Sequence, residues 1–524
     1  MGLVTGEHGV KNLVKSTCAD SVREFDSLAA VVEATGCAEE EVVVLLDGNV
    51  LVRQVPMSVT DFKEYARIFE RFVSNALDAA KYVIVVFDEP ERITKAKVEE
   101  QLRRDVQSKK KQVPCSADLN ELIPKTDDYT LAQMLALNPH DLMQHRGARN
   151  RLFDALCKRC MISLYGRLEA QEKTLVFDGV DSRGADRPMK VRRETAMFSN
   201  NDTIETLLRR SPSDAPVGEG DVKLTELECE IQFLRNTKQA FEGVQLVIVS
   251  TIDTDSIAIE LMCQSARNQE RTERPELPEP VTTLLCFREK SGKRGGVGDE
   301  AQKTVYSCVD IESAHKKLCQ AIGAPAGYER HAIALLCGGW LLCGSDFVKM
   351  KGMRPDVVFL AMQKLCSDED NRVLILSKMK GAWTLSSKAT EEERAKVRAR
   401  LTKALSSLVT RVQSFLSVMP RMQRASASVQ SATETCFYYS RAAFVLIYWN
   451  GLQLDNSQLH EWGFTLCLNS NGTPPPTAPT VSADLSQCSS APLHAPHAPL
   501  APLTPSPTST RTVDLSWMTP AAVS

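Results

Sequence analysis

The sequence predicts an α/β protein with a central, mostly parallel sheet flanked by helices, followed by a C-terminal helical extension and a disordered tail. Four apolar runs predict strands that are buried on both faces, as strands of parallel sheets are; they lie at residues 42–46, 82–87, 174–177 and 244–250. Helical patterns separate these runs, so right-handed crossovers between parallel strands are expected. With 524 residues the chain is long enough for two or more domains.

Composition restricts the class of protein. The 63 Lys and Arg residues nearly balance 66 Asp and Glu residues, and the formal net charge is -3, so any nucleic-acid binding must use local basic patches. The 16 cysteines are scattered and no signal peptide is recognised, which predicts reduced thiols in a nuclear or cytoplasmic compartment. No stretch is long and apolar enough to span a membrane, and no membrane partner is expected.

Each of the four apolar runs ends in an acid. The first three end in Asp47, Asp88 and Asp178, and the fourth ends in Asp253-Thr254-Asp255. If the strands are adjacent and parallel, these acids converge at the carboxyl edge of the sheet, where open α/β sheets bind ligands. Clustered carboxylates repel one another and stay ionised chiefly around divalent cations, so the pattern predicts an acidic magnesium site. The alternative is that the acids only solvate loops and cap the following helices.

A basic segment with a helical pattern directly follows Asp88. Its cations include Lys95, Lys97, Arg103 and Arg104. Beside a metal site, such a helix is well placed to grip phosphates, because phosphate contacts position a nucleic acid without reading its base sequence. The alternative is an ordinary solvated helix face.

Two pairs of acids lie on the last predicted helix before the fourth strand. Glu219 and Asp221 open this helix, and Glu226 and Glu228 follow within the next two turns. Acids at a helix N-terminus suit its dipole and are often only caps. Because the helix leads directly into the fourth strand, either pair is also a candidate for further metal ligands.

The remaining elements follow from periodicity and local signals. Further helices are predicted around residues 10–14, 61–80, 147–164, 314–321, 329–342, 391–418 and 431–448. Strands at residues 282–287 and 303–309, joined by a Gly- and Lys-rich loop, predict an inserted hairpin. Cys157 and Cys160 are predicted to pack inside a helix interface, because a single CxxC pair is weak evidence for zinc.

In this order, the motifs resemble the flap endonuclease and xeroderma-pigmentosum-G superfamily of structure-specific 5′ nucleases. That superfamily also includes 5′→3′ exoribonucleases and some viral host-shutoff nucleases. The resemblance covers roughly residues 1–365 and is carried by the Met-Gly start, Asp47-Gly48-Asn49, Val86-Phe87-Asp88 with its basic helix, the paired helix acids, Asp253-x-Asp255 and Leu342-Cys343-Gly344-Ser345-Asp346-Phe347. It implies a PIN-like α/β fold, two Mg²⁺ ions for which Mn²⁺ can substitute, and hydrolysis of a phosphodiester near a 5′ end or a single-strand/double-strand junction.

The resemblance assigns catalytic and metal-binding roles by position. The acids that match family motifs are Asp47, Asp88, Asp253, Asp255 and Asp346. Val176-Phe177-Asp178 also matches the second motif, but Asp88 is preferred there because its spacing from Asp47 needs no large insertion. Asp178 stays a second candidate for a catalytic role, and both acids could line the site. The helix acids stay open: Glu219 with Asp221 resembles the exoribonuclease form, whereas Glu226 with Glu228 resembles the flap-endonuclease form.

Other matched positions would contact nucleic acid. They are Gly2, Lys349, Lys351 and Gly352, together with the cations of the basic helix. Gly2 would lie near the active site once the initiator methionine is removed. The other three resemble the segment with which the family's helix-turn-helix element grips duplex backbone. There Met353-Arg354 replaces a second glycine, which is a departure from the pattern for tight duplex binding and for the associated monovalent-ion site.

The activity implied is that of a Mg²⁺-dependent nuclease acting on DNA flaps or 5′ ends in replication, repair or recombination. An RNase of the same fold and a catalytically silent, PIN-like nucleic-acid-binding scaffold are the alternatives. The tail offers a docking site for a replication or repair protein, and its length and the divergence of the motifs are compatible with a viral protein. The expected parts are an N-terminal nuclease region (1–111), an intervening insert or arch (112–216), an internal nuclease region (217–365) with a hairpin insert (282–310), a helical extension (366–466) and a disordered tail (467–524) rich in Pro, Ala, Ser and Thr.

Overall fold

The structure is a computed structural model, and the part of it described below excludes several segments of the chain. The described residues are 10–88, 137–143, 146–180, 197–208, 220–291, 303–345, 348, 350, 353–385, 389–418, 432–449 and 461–462. The predicted basic helix after Asp88 and the predicted disordered tail lie outside them.

One eight-stranded sheet forms the centre of the molecule. Its strands are β1 (Val22–Phe25), β2 (Val42–Asp47), β3 (Tyr82–Val86), β4 (Thr174–Asp178), β5 (Met197–Ser199), β6 (Leu246–Thr251), β7 (Thr282–Ser291) and β8 (Lys303–Asp310). The strand order is β1-β8-β7-β6-β2-β3-β4-β5. The five strands β7, β6, β2, β3 and β4 are parallel to their neighbours in this series, and the outer strands β1, β8 and β5 pair in antiparallel fashion. The predicted α/β class and mostly parallel sheet are confirmed.

The central strands are apolar throughout because both faces of the sheet are covered. All six residues of β2 are buried. Val42 and Val44 pack into one hydrophobic cluster, whereas Val43 and Leu45 pack into another on the opposite face. This alternation follows from the two-residue period of a strand. An unbroken apolar run is therefore what the core requires at this position.

Helices cover both faces of the sheet. In chain order they are α1 (Val10–Thr17), α2 (Leu28–Thr35), α3 (Gly48–Arg53), α4 (Phe62–Leu77), α5 (Pro139–Leu142), α6 (Arg146–Ala170), α7 (Asp202–Leu208), α8 (Gly220–Asn236), α9 (Asp255–Glu273), α10 (Ile311–Ile322), α11 (Glu329–Cys343), α12 (Pro355–Ser367), α13 (Arg372–Leu376), α14 (Glu391–Val418) and α15 (Ala432–Trp449). One face carries α2, α4 and α6, and the other carries α1 and α8 to α15. Among the described residues, none of the helices combines the length and the apolar character needed to cross a membrane.

Helix α4 shows how the sequence produces these elements. The Asp61 side chain caps it by accepting a hydrogen bond from the Glu64 amide at 3.0 Å. Its apolar residues recur at helical spacing, and Tyr65, Phe69 and Val73 are fully buried against the sheet. The helix then returns the chain to β3, which completes a parallel βαβ unit.

The C-terminal helices share the core of the sheet domain. A Cβ atom at Gly338 of α11 would lie 2.8 Å from Leu405 of α14 and 2.9 Å from Leu446 of α15. A Cβ atom at the next residue, Gly339, would meet Val358 and Leu408 as closely. Because both glycines lack a side chain, α12, α14 and α15 approach the α11 backbone directly, and the predicted helical extension is packed on the core.

The two strands of the predicted hairpin exist as β7 and β8. Both are part of the central sheet, which they widen beyond β6. Leu285 of β7 lies opposite Val249 of β6 in parallel register, and β8 then pairs with both β7 and β1. The apolar first half of β7 makes this possible, since Leu285 and Phe287 are buried against the helices.

The cysteines divide into two groups. Cys286 and Cys308 face each other on β7 and β8, with Cα atoms 4.1 Å apart, and form a disulfide. This pair contradicts the prediction that the thiols are reduced. The two cysteines are 22 positions apart in the sequence and become neighbours only through the antiparallel pairing of β7 with β8. Cys157 and Cys160 are free and buried inside α6, as predicted. Burial raises the pKa of both thiols, which therefore stay protonated.

Candidate active site

Four acids follow adjacent parallel strands and reach the same edge of the sheet. Asp47 lies opposite Val86, and Val86 lies opposite Asp178. Asp88 is therefore two residues beyond this level. On the other side of β2, Ser250 lies opposite Leu46, which places Asp253 two residues beyond the level of Asp47. The convergence expected from the sequence is present, although the four side chains enter different environments.

Asp47 is more buried than Asp88 and Asp253, its neighbours at this edge. It is 7% exposed, and its Oδ1 accepts a hydrogen bond from the Val50 amide at 3.1 Å, which caps α3. Burial, repulsion from Asp88 and, more weakly, repulsion from Asp253 raise the pKa of Asp47 to about 7, against an ordinary value of 3.8. The carboxylates of Asp47, Asp88 and Asp253 are therefore close enough to repel one another.

Asp88 meets the first turn of α8. The Gly220 amide donates a hydrogen bond to Asp88 Oδ1 at 2.6 Å. A Cβ atom at Gly220 would lie 3.1 Å from that oxygen and 3.6 Å from Asn49 Nδ2. The positive end of the helix dipole favours a carboxylate at this position. Asn49, Asp88 and the start of α8 thus lie side by side.

The first turns of α8 and α9 also touch. Asp253 Oδ1 accepts a hydrogen bond from the Asp255 amide at 3.1 Å, and the Asp253 amide donates to Thr251 Oγ1 at 3.1 Å. Asp255 is buried at the first position of α9. The Ser256 hydroxyl donates to Asp221 Oδ1 at 3.3 Å, which joins the two helix N-termini. Asp221 therefore belongs to the same edge as Asp88 and Asp253.

The second pair of helix acids lies elsewhere. Glu228 is 1% exposed, forms an ion pair with Arg267 of α9 and accepts a hydrogen bond from the Thr283 hydroxyl. Thr283 lies opposite Val247 near the start of β6 and β7, at the end of these strands opposite the acidic edge. Glu226 is about 9 Å along α8 from its first residue.

A second buried carboxylate, Glu260, lies beside Glu228. The Thr225 hydroxyl donates to Glu260 Oε1 at 2.6 Å. Burial and repulsion from Glu228 hold the pKa of Glu260 well above its usual range. Burial acts on Glu228 in the same direction, but the Arg267 guanidinium and its hydrogen bonds keep the pKa of Glu228 below its usual value. Arg267 thus neutralises the ionised Glu228, and Glu260 stays protonated beside them. This buried cluster packs α8 against α9.

Asp178 and Lys223 form a buried ion pair. Asp178 Oδ2 is 3.0 Å from Lys223 Nζ, and each side chain is 5% exposed. Lys223 also donates to the Phe87 carbonyl at 3.2 Å, and the Phe87 amide donates to the Asp178 carbonyl at 2.9 Å. Asp178 is thus paired within the protein and fastens the first turn of α8 to β3 and β4. Asp88, one residue after Phe87, remains the carboxylate at the edge.

Gly179 provides a test of this fastening. It has a φ of +85°, and a Cβ atom there would overlap the Phe87 carbonyl oxygen and lie 3.2 Å from Lys223 Nζ. Gly179→Ala is expected to lower the free energy of unfolding by at least about 2 kcal/mol, because left-handed strain adds to a backbone clash. Chemical denaturation measures this. The control is Gly166→Ala on α6, where no atom lies within 4 Å and alanine should stabilise the helix by up to about 1 kcal/mol. Equal effects of the two substitutions would contradict the packing described.

The residues at the edge suit a hard divalent cation. The available ligands are carboxylate, amide and hydroxyl oxygens, which Mg²⁺ prefers over nitrogen or sulfur. A cation would also relieve the repulsion that raises the pKa of Asp47. Within the described part of the chain, no group of three or more His, Cys, Asp or Glu side chains is close enough together to hold a metal ion as placed.

Several predicted site residues lie outside the described residues. They are Gly2, Lys95, Lys97, Arg103, Arg104, Glu219, Asp346, Lys349, Lys351 and Gly352. Sequence reasoning missed Asn49, Lys223 and Ser256 as members of the edge. Lys223 carried a usable signal, since it is a lone cation between the apolar residues Val222 and Leu224. In comparisons with known proteins, the chain matches no protein-family model and no curated protein at a significant level.

Proposed function

We propose that this protein is a magnesium-dependent nuclease with a PIN-like fold, which hydrolyses phosphodiester bonds with two metal ions. The observation that carries the proposal is the shared edge of Asp47, Asp88 and Asp253, where burial and mutual repulsion raise the pKa of Asp47 to about 7. Buried carboxylates that repel one another are typical of sites that bind divalent cations. The order of the same acids in the sequence also resembles that of the 5′ nucleases.

The chain supplies three kinds of group to this reaction. Asp47, Asp88 and Asp253 would hold the ions, with Asp221 and Asp255 at the adjacent helix N-termini. When bound, Mg²⁺ or Mn²⁺ activates a water molecule and neutralises charge on the reacting phosphate. The helices α3, α8 and α9 all begin at this edge, and the positive ends of their dipoles favour an anionic substrate there. The pair of Asp178 and Lys223 holds α8 in position.

We propose DNA with a 5′ end or flap as the substrate, and RNA is the second candidate. One observation favours RNA: Asp221 at the start of α8 lies at the edge, whereas Glu228 is held in an ion pair with Arg267. By resemblance, Glu219 with Asp221 is the exoribonuclease arrangement, and Glu226 with Glu228 is the flap-endonuclease arrangement. The cleavage experiment below separates the two substrates.

The test is cleavage of labelled 5′-flap DNA, blunt duplex DNA, single-stranded DNA and single-stranded RNA, in Mg²⁺ and in EDTA. The wild-type protein is expected to cut only with Mg²⁺, and Asp253→Asn is expected to slow cutting by roughly 10²-fold or more, because several kcal/mol of charge stabilisation are lost. The preferred substrate decides between DNA and RNA.

Asp310→Asn is the matched control for this experiment. Asp310 also ends a strand and caps the next helix, since its Oδ1 accepts from the Ser313 amide at 3.1 Å. However, β8 runs antiparallel to β7, and Asp310 lies opposite Leu284. Asp310 is therefore at the end of the sheet opposite the acidic edge. Asparagine at position 310 preserves this cap, and asparagine at position 253 can still accept the hydrogen bond from the Asp255 amide. Cutting without Mg²⁺, or equal activity of the two variants, would contradict the proposal. Binding without any cutting by folded protein would favour a silent scaffold.

A further inference from the structure

Four cations, two in the turn after α13 and two on α14, form a surface cluster called the basic patch. They are Lys378, Lys380, Arg400 and Lys403. The Arg400 guanidinium donates to the Lys380 carbonyl at 3.4 Å, which joins α14 to the preceding turn. Burial and repulsion from Lys403 lower the pKa of Lys378, so these two ammonium groups are near neighbours. All four residues are exposed or half-buried.

No acid balances the basic patch within the described part of the chain. None of its four side chains forms an ion pair with another described residue. Other cations on α14 are paired: Lys396 with Glu392 at 2.7 Å, and Arg411 with Asp368 at 2.9 Å. The unbalanced charge is therefore confined to one part of the helix surface. Like charges held together without acids repel one another and favour a polyanionic partner.

Contacts at the start of α11 locate the basic patch relative to the candidate active site. The charges of Arg330 and Lys380 both act on buried His331, whose pKa is lowered to about 4 chiefly by burial. Arg330 in turn donates to Gln269 Oε1 at 3.0 Å. Gln269 is fourteen residues along α9 from Asp255, or about 21 Å. Lys380 of the basic patch is thus linked, through His331 and Arg330, to the C-terminal half of α9, whose N-terminus is at the acidic edge.

We propose that the basic patch binds the phosphate backbone of a nucleic acid away from the acidic edge, on the part of the substrate that is not being cleaved. This inference rests on the proposed nuclease function. Exposed lysines and an arginine that are free of acids suit contacts to phosphates, which position a nucleic acid without reading its sequence. At about 3.4 Å per base step, the ~21 Å along α9 from Asp255 to Gln269 alone corresponds to about six nucleotides.

The experiment compares the wild type with a variant in which all four residues of the basic patch are changed to glutamine. Binding of a fluorescent 25-residue DNA or RNA and of a five-residue version is measured in EDTA over a range of salt concentrations. For the long probe, the variant is expected to bind at least about tenfold more weakly near 0.1 M salt, with a salt slope reduced by about 3, because each lost phosphate contact removes about 0.7 to 0.9 from the slope. Binding of the short probe should weaken less, because it presents fewer phosphates to the basic patch.

Two controls accompany this comparison. Lys396→Gln, on the same helix but paired with Glu392, should bind both probes as the wild type does. The thermal unfolding temperature of the four-residue variant should match that of the wild type, since the altered side chains are on the surface. Vesicles containing phosphatidylserine serve as a second polyanion.

The results separate the two proposals. An unchanged salt slope with the long probe, equal weakening of both probes, absence of wild-type binding, or loss of vesicle binding with nucleic-acid binding intact would each overturn the role of the basic patch. Because binding is measured in EDTA, it does not depend on metal-assisted cleavage. If the slope falls but the wild type cuts nothing in Mg²⁺, the proposed nuclease function fails while the basic patch remains a nucleic-acid site.

Discussion

Asp47→Asn is expected to stabilise the metal-free protein at pH 8 and to abolish Mg²⁺-dependent cleavage. The substitution removes a buried charge beside Asp88 and Asp253 but keeps an N-cap for the Val50 amide, since asparagine caps as well as aspartate. The difference between a pKa of 3.8 and one of about 7 corresponds to ~4 kcal/mol of unfavourable ionisation. Relief of half of this would raise the unfolding temperature by a few degrees.

The pH dependence of this gain has a definite sign. A carboxyl whose pKa is raised by folding binds protons more tightly in the native state, so its contribution favours folding at low pH. That contribution is complete below the unfolded pKa of 3.8 and is lost as the pH rises to about 7. The unfolding temperature of Asp47→Asn minus that of the wild type should therefore grow from pH 4 to pH 7 and then level off.

Thermal scans in EDTA over this pH range measure the difference, with Asp310→Asn as the control that caps a helix outside the acidic edge. The control should show no comparable rise. Addition of Mg²⁺ at pH 8 should then stabilise the wild type and leave Asp47→Asn almost unaffected, because the cation replaces the missing proton only where the carboxylate is present. A lower unfolding temperature for Asp47→Asn at pH 8 would contradict the described repulsion.

Lys223→Met is expected to lower the free energy of unfolding by about 3 to 5 kcal/mol, because it leaves the buried Asp178 carboxylate without its cation. The Phe87 carbonyl loses a hydrogen-bond donor as well. The double variant with Asp178→Asn removes both charges and should recover much of the loss. Urea denaturation of the wild type, both single variants and the double variant gives the coupling between the two residues.

The same variants test whether the pair positions α8. The double variant is expected to fold but to need more Mg²⁺ for half-maximal thermal stabilisation, because the Gly220 amide and Asp221 are no longer fixed beside Asp88 and Asp253. The single variant Lys223→Arg, which preserves the charge, should need less Mg²⁺ for half-maximal thermal stabilisation than the double variant does. Additive losses in the single variants, or an unchanged Mg²⁺ requirement in the double variant, would show that the pair has no such role.

The parts of the fold that could be predicted are those that depend on residues close together in the sequence. Residues 42–47 form an unbroken apolar run that ends in an acid, and the structure makes it a strand buried on both faces. The amphipathic spacing of α4 and the capping pair of Thr390 with Glu393 at α14 gave helix positions that agree with the structure within a few residues. Such local signals also predicted the four strands, β2, β3, β4 and β6, whose acids reach one edge of the sheet.

What the sequence could not decide depends on partners far away in the chain. Val86-Phe87-Asp88 and Val176-Phe177-Asp178 are locally identical, yet only Asp178 is paired with a lysine, Lys223, 45 residues later. Glu228 is likewise removed from the edge by Arg267, 39 residues away. Because these pairings require the assembled sheet and helices, no spacing rule assigns one acid to the site and another to the interior.

The central position of β2 also governs when the site can form during synthesis. Its two neighbours in the sheet are β3, which follows within 40 residues, and β6, which begins about 200 residues later. A nascent chain that has not yet emerged past residue 251 leaves one side of β2 without its partner and lacks Asp253 altogether. Long-range parallel pairing is slow and exposes an unpaired strand edge in the meantime. A ribosome-bound fragment should therefore gain its acidic edge only after about half of the chain has been synthesised.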